Sequence, residues 1–183
     1  MADARALADL PAGAVGTLAR FTRMVNRAFT VIGGAISLAI VVLIVQDVFR
    51  RYVLNDPTIW SLDVSSFLLV YLFFFALAPA LEAGTHVNVD MFLEHMRPGL
   101  RAFMPVLSSF AVLVFGIVFL DKIWEATVEA FEDDVLGPTA MPMKLKYIYM
   151  VGPVGTLQFV LTAAVLFLLA WRTWRAGAGA RQR

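Results

Sequence analysis

The chain has 183 residues, contains no cysteine and is poor in charge: only 16% of its residues are charged, against about 25% in ordinary soluble domains. Without cysteine there are no disulfides, no thiolate catalysis, no cysteine-bound zinc, no iron–sulfur cluster and no covalently attached haem. The net charge of +1 gives no support for nucleic-acid binding. There is also no nucleophile elbow, phosphate-binding loop or catalytic carboxylate pair, so we predict a protein that is not an enzyme and carries no cofactor.

Hydrophobic residues are abundant instead, at 60% of the chain, where soluble proteins have about 45–50%. They are concentrated in four long uncharged runs, and a membrane-spanning helix needs about 20 mostly apolar residues. The sequence therefore predicts an all-α integral membrane protein whose membrane domain covers residues 28–171. Its four transmembrane helices are expected at about residues 28–46, 58–81, 102–120 and 147–171.

Basic residues predict the orientation of these spans. Ten Lys and Arg residues fall on the side of the two termini and five on the other side. Because cytoplasmic segments carry the excess of Lys and Arg, both termini are predicted to face the cytoplasm of a bacterial inner membrane. The arm of residues 1–27 and the basic tail of residues 172–183 then lie inside, and the connection between the third and fourth spans lies outside.

Three segments have the pattern of short amphipathic helices that lie on the membrane surface and contact lipid. In the N-terminal arm, Leu18, Phe21 and Val25 share one helical face, and Arg20, Arg23 and Arg27 share another. Similar patterns occur at residues 47–53, after the first span, and at residues 89–96, between the second and third spans.

The connection between the first two spans is marked by Asp56 and Pro57, which suit the N-cap and first position of the second helix. Asp63 lies seven residues later, roughly 10 Å deeper along a helix. An acid at that depth suggests a proton or ion site, or a structural partner for Arg50 or Arg51. We favour the structural role and predict that an Arg51–Asp63 ion pair fixes the angle between the two helices.

Neither histidine falls inside a span, since His86 and His95 both lie between the second and third. This argues against a membrane anchor that binds haem through axial histidines. Glu82, His86 and Asp90 are spaced by four and share one helix face, where they would bind a metal or bond locally. We favour local hydrogen bonds and ion pairs, and expect no metal site.

Acidic residues collect after the third apolar run. No helix-breaking residue except Gly116 occurs from Val106 to Leu136, so the third helix is predicted to project beyond the outer membrane surface. The acidic set is either a solvated face or a docking site for a partner outside the cytoplasm. Its members are Glu125, Glu129, Glu132, Asp133 and Asp134.

Small residues and prolines predict helix contacts and kinks. Gly33 and Ser37 in the first span, and Gly152 and Gly155 at the start of the fourth, would let helices approach closely. Prolines at three further positions predict kinks rather than helix ends, because membrane helices tolerate proline: Pro79, Pro105 and Pro153.

Three elements in order, within about forty residues, resemble a known family. They are Arg51-Tyr52-Val53-Leu54-Asn55, then Trp60 followed by Asp63, then Gly84-Thr85-His86-Val87-Asn88-Val89-Asp90. The family is the small membrane subunit of tripartite ATP-independent periplasmic (TRAP) transporters, the DctQ-like proteins. Asp63 stands where the family often has glutamate.

The resemblance implies a non-catalytic subunit of a secondary transporter. It would pack on the static scaffold of a large membrane subunit and help dock a periplasmic binding protein during sodium-coupled uptake of an organic acid. Its subunit-interface or structural candidates would be Arg51, Tyr52, Asn55, Trp60, Asp63, His86 and Asp90.

Two other functions fit a small four-span protein. One is the membrane anchor of a respiratory enzyme complex, which the absence of histidine from the spans disfavours. The other is an independent small exporter, which would need a carboxylate in the first helix, and none lies between Ala28 and Gln46.

Overall fold

The computed structural model describes residues 14–56, 58–84, 98–132 and 144–180, and every element in these ranges is an α-helix. Four helical segments are long and apolar enough to cross a membrane, as predicted. The fourth consists of a short helix followed closely by a long one. The helices are α1 (Ala14–Val53), α2 (Ser61–Glu82), α3 (Pro98–Glu132), α4 (Leu145–Tyr149) and α5 (Val151–Ala180).

Helix α1 is one continuous helix of 40 residues, which joins the predicted amphipathic arm to the first span without a break. It ends where Asn55 adopts a left-handed backbone conformation, with φ of 52°. Asparagine tolerates this conformation better than most residues, because its short side chain bonds locally. The N–H of Asp56 donates to the carbonyl oxygen of Arg50 at 3.2 Å, so one of the last carbonyls of α1 is capped.

Helix α2 begins at Ser61, later than predicted, and its N-cap residue Trp60 makes no side-chain capping bond. The prediction that Asp56 caps this helix is therefore wrong. The carboxylate of Asp56 instead binds the guanidinium of Arg50 at the end of α1. Pro57 itself lies outside the described residues. With 22 residues, α2 is about 33 Å long, close to the hydrocarbon thickness of a bilayer.

Helix α3 continues past the predicted end of its span at Leu120 as far as Glu132, a length of about 52 Å. Its continuation through the charged segment confirms the predicted long helix. Helix α5 begins at Val151, so Pro153 falls in the first turn, where the missing N–H has no helical partner to lose. Pro79 and Pro105 lie inside α2 and α3, as the sequence predicted.

Helix α5 is the centre of the bundle and contacts α1, α2 and α3. The buried core lies between α2 and α5, where Ala78 and Leu81 meet Phe159 and Ala163. Helix α3 runs antiparallel along α5, since Phe103 stacks edge-on against Trp174 at 5.8 Å near one end and Thr127 bonds Tyr149 near the other.

The glycines at the start of α5 bring the helices together as predicted. A Cβ atom on Gly155 would lie 2.6 Å from the carbonyl oxygen of Phe74, so α2 approaches α5 there at backbone distance. A Cβ on Gly152 would lie 2.7 Å from Cγ2 of Ile123 on α3. Helices α2 and α3 therefore both meet the first turns of α5 at the level of Phe74, near the middle of α2.

Candidate functional site

Buried and partly buried polar side chains from three helices meet where α1 crosses α2 and α5. Thr22 and Asn26 come from α1, Glu82 from the end of α2, and Gln158 and Thr162 from α5. We call these five residues, together with Arg23, the polar cluster. Asn26 and Thr162 are each 2% exposed, although both lie among apolar helices. Burial of this kind is costly unless the polar groups bond to one another.

The two amides of the polar cluster provide most of its hydrogen bonds. Nδ2 of Asn26 donates to Oε2 of Glu82 at 2.7 Å and to Oγ1 of Thr162 at 3.3 Å. Nε2 of Gln158 donates to Oδ1 of Asn26 at 2.8 Å and to the carbonyl oxygen of Thr22 at 3.1 Å. The hydroxyl of Thr162 donates in turn to the carbonyl oxygen of Gln158 at 2.9 Å. Asn26 thus joins all three helices.

Glu82 is the charged member that faces α1. Its Oε1 accepts from Nε of Arg23 at 3.0 Å, and both side chains are about one-third exposed. Two buried atoms of the cluster, Oγ1 of Thr22 and Nη1 of Arg23, have no hydrogen bond among the described residues. The pair is partly hydrated, so its main effect is on which face of α1 meets α2 rather than on stability.

The cluster forms because its residues are spaced by one helical turn. Thr22 and Asn26 are four residues apart on α1, and Gln158 and Thr162 are four apart on α5, so each pair occupies one face. With bonds to three helices, the cluster fixes the rotation and register of α1 against α5. Among the described residues, no three His, Asp or Glu side chains are grouped so as to hold a metal ion.

Sequence reasoning missed this cluster and expected almost no polar groups within the bundle. It also placed Arg23 on one face with Arg20 and Arg27, whereas Arg23 turns towards Glu82 and the other two are exposed. The signal available was the pair of polar positions four apart inside the apolar fourth segment, which is the usual mark of a helix-to-helix hydrogen bond in membranes.

The turn between α1 and α2 contains a second polar group, which differs from the predicted one. Nη2 of Arg51 contacts Oδ2 of Asp47 at 2.9 Å, one turn back on its own helix. The prediction of an Arg51–Asp63 ion pair is therefore wrong. The reason is geometric, because side chains four residues apart on one helix are already neighbours, and no bridge across the turn is needed.

Asp47 connects the two helices. Its Oδ1 accepts from the hydroxyl of Thr58, which lies just before α2. Close by, the hydroxyl of Ser61 donates to the carbonyl oxygen of Leu43 at 3.3 Å. These bonds position the start of α2 against the last turns of α1.

The other predicted interface residues lie around this turn. Tyr52 is 77% exposed and Trp60 is 37% exposed, so both face outward, and Asn55 is exposed at the tip. Asp63 is partly buried in the first turn of α2. His86 and Asp90 lie outside the described residues.

The acidic set lies along the last turns of α3 as far as it is described. Glu125, Glu129 and Glu132 are exposed, and Oε2 of Glu125 accepts from Nζ of Lys122 at 2.6 Å. Lys122 also lies 3.8 Å from Asp121, so one amine serves two carboxylates. Asp133 and Asp134 lie outside the described residues.

Four membrane-length helices held together by a polar cluster and a glycine contact define a small multi-pass membrane protein. The family described as tripartite ATP-independent periplasmic transporters, DctQ component, matches residues 40–176. The chain belongs to this family, which confirms the resemblance seen in the sequence. It is thus a non-catalytic membrane component of a transporter, located in the inner membrane.

Two relatives illustrate the family. The sialic acid TRAP transporter small permease protein SiaQ of Vibrio cholerae is 25% identical over 92 residues, which are 50% of this chain and 53% of the relative. The sialic acid TRAP transporter permease protein SiaT of Haemophilus influenzae is 26% identical over 98 residues, which are 54% of this chain and 16% of the relative. The chain therefore matches about half of the first and a small part of the second.

Proposed function

We propose that this chain is the small membrane subunit of a TRAP transporter and serves as a fixed scaffold element beside the large membrane subunit. The large subunit would carry out sodium-coupled uptake of an organic acid, captured by a periplasmic binding protein. The observation that supports a scaffold role is the interior of the bundle. The amides of Asn26 and Gln158 bond to each other, and Asn26 also bonds to Glu82. These groups therefore hold three helices in one arrangement instead of offering a polar path for a solute.

The relatives support a partnership with a larger membrane protein. One is named as a separate small permease protein, and the other is a permease of which the matched residues form only 16%. A sequence like this one is therefore found both alone and inside a longer permease. That pattern suits a subunit that works against a larger neighbour in the same membrane, with lipid around the remaining surface.

The first testable prediction is that this chain forms a complex with the large membrane subunit. A tagged copy of this chain, co-expressed with the large TRAP membrane subunit of the same source, is expected to retain that subunit through detergent extraction and size-exclusion chromatography. Reconstituted alone in liposomes with a sodium gradient, it is expected to take up no organic acid, whereas the two-subunit complex with its binding protein takes it up. Uptake by the single chain would contradict the scaffold role.

We further propose that the acidic end of α3 helps dock the periplasmic binding protein. Glu132 is exposed at the end of α3, about 16 Å from Asp121 along the helix and farthest from its cytoplasmic end. Asp133 and Asp134 follow it in the sequence. Exposed charges of one sign steer an oppositely charged partner and speed its association.

Docking requires both termini to face the cytoplasm, and this is tested by reporter fusions. A periplasm-active reporter joined after Glu132 is expected to be active, and one joined after Arg175 is expected to be inactive. A cytoplasm-active reporter should give the reverse pattern at the same two sites. If the fusion after Glu132 behaves as cytoplasmic, both the orientation and the docking role fail.

A further inference from the structure

An open apolar groove of about 560 Å³ runs between α3 and α5, on a side that α1 and α2 leave uncovered. Its walls are exposed side chains, including Ile117 at 53% and Val154 at 52%. One carboxylate and one indole belong to its lining. The lining residues are Ile117, Leu120, Asp121, Trp124, Pro153, Val154 and Leu157.

The packing of the helices sets the depth of this groove in the membrane. Gly152 has both Ile123 of α3 and Phe74 of α2 at contact distance, so these residues lie at one level. Phe74 is near the middle of α2, a helix just long enough to cross the hydrocarbon layer. Asp121 and Trp124 flank Ile123, so the groove lies level with the middle of α2 and not at its outer end.

A carboxylate at this level needs a partner. Charged side chains deep in a membrane are costly and face protein or water, where they pair with other groups. Asp121 is 75% exposed at the surface of this chain, and its contact with Lys122 is long, at 3.8 Å. Because Glu125 also binds the amine of Lys122, at 2.6 Å, this one positive charge does not neutralise both carboxylates.

From these observations we infer that a transmembrane helix of the large subunit packs into this groove and brings a basic side chain to Asp121. The inference rests on the proposed function, since it names the surface at which the large subunit binds. An apolar groove fits the body of a helix. Asp121 and Glu125 carry two negative charges against the one positive charge of Lys122, and this surplus selects a basic residue on that helix.

Substitutions in the groove test this surface through assembly of the complex. Two variants are each expected to lower the amount of large subunit that co-purifies about tenfold. Val154→Trp fills the groove and so excludes the partner helix. Asp121→Leu leaves the basic side chain of the partner buried without its counter-ion. The matched control Leu38→Trp adds the same side chain to an exposed site on α1 and is expected to leave assembly unchanged.

This experiment distinguishes failure of the groove inference from failure of the scaffold role. If the unaltered chain retains the large subunit and both groove variants retain it equally well, the groove is not the binding surface, although the scaffold role stands. An unaltered chain that retains no large subunit would contradict both proposals. A lipid-facing Asp121 predicts the opposite sign for Asp121→Leu, since removing a charge from hydrocarbon stabilises the chain.

Cysteine labelling gives a second test that does not depend on altered assembly. The chain has no cysteine, so Trp124→Cys creates a single reactive thiol in the groove. A small membrane-permeant maleimide is expected to label it at least about tenfold more slowly in the two-subunit complex than in the isolated subunit, because the partner helix excludes reagent from a buried interface. Ile59→Cys, exposed at the α1–α2 turn, should react equally in both.

Equal labelling of Trp124→Cys in the two preparations would overturn the inference. That result would mean that no helix of the large subunit covers Trp124.

Discussion

Replacing Gly155 with alanine is expected to destabilise the bundle more than any other single-methyl change in it. The added Cβ would lie 2.6 Å from the carbonyl oxygen and 2.8 Å from the Cβ of Phe74, which are contacts that no side-chain rotation relieves. Helix α2 or α5 must therefore move, and overpacking of this kind typically costs about 1–3 kcal/mol. Gly155→Val should cost more. The free energy of unfolding in mixed micelles, measured by denaturant titration, checks this.

Gly34→Ala is the matched control for this prediction. Gly34 lies in the apolar part of α1, and a methyl group added to it would have no atom within 4 Å, so the same change meets no obstacle there. Alanine is a better helix former than glycine by about 1 kcal/mol, so this variant should be as stable as the parent or slightly more stable. Equal stability of the Gly155→Ala and Gly34→Ala variants would contradict the close contact of α2 and α5.

Asn26→Leu is expected to have the largest effect among the polar residues. It removes two donated bonds and one accepted bond, and leaves Gln158 and Glu82 short of their partners inside the bundle. Hydrogen bonds between membrane helices average about 0.6 kcal/mol and reach about 1.7 kcal/mol each. The loss of three, with burial of the groups left behind, predicts roughly 2–4 kcal/mol in the free energy of unfolding.

Thr30→Val on the same helix is the control. Among the described residues, the hydroxyl of Thr30 bonds only along its own helix, to the carbonyl oxygen of Asn26 at 2.9 Å. It is expected to change the free energy of unfolding by less than about 0.5 kcal/mol. Glu82→Gln should be intermediate, since an amide oxygen still accepts from Asn26 while the pairing with Arg23 loses its charge. If Asn26→Leu is no more destabilising than Thr30→Val, the polar cluster does not hold α1 in place.

The overall class of this protein followed from its sequence because it depends on local properties. An apolar run of about 20 residues is enough to specify a membrane helix, since the bilayer demands that the backbone bonds within the segment. The family elements between Arg51 and Asp90 are likewise contiguous, and the family match over residues 40–176 agrees with them. The long third helix was also predictable, because it needs only the absence of a breaker before Glu132.

The start of α2 was not predictable from the same local rules, and the partner of Arg51 was predicted wrongly although its helical spacing from Asp47 is local. Asp56 and Pro57 have the pattern of a helix start, but tertiary contacts of Asp56 with Arg50 and of Thr58 with Asp47 hold this segment against α1, and the helix begins at Ser61. Several carboxylates near the turn were chemically suitable for Arg51. Arg51 pairs with Asp47, one turn away on the same helix, because helical spacing places the two side chains within reach of each other.

What the sequence by itself determined is therefore the number and apolar character of the membrane-spanning segments, together with the family. Only the tertiary structure decided which faces of these helices meet. Asn26, Glu82 and Gln158 lie up to 132 residues apart in the chain, and their contact depends on the crossing of α1, α2 and α5. Apolar residues cover most faces of membrane helices and do not mark one side for packing, so a few polar bonds and one glycine contact decide the arrangement.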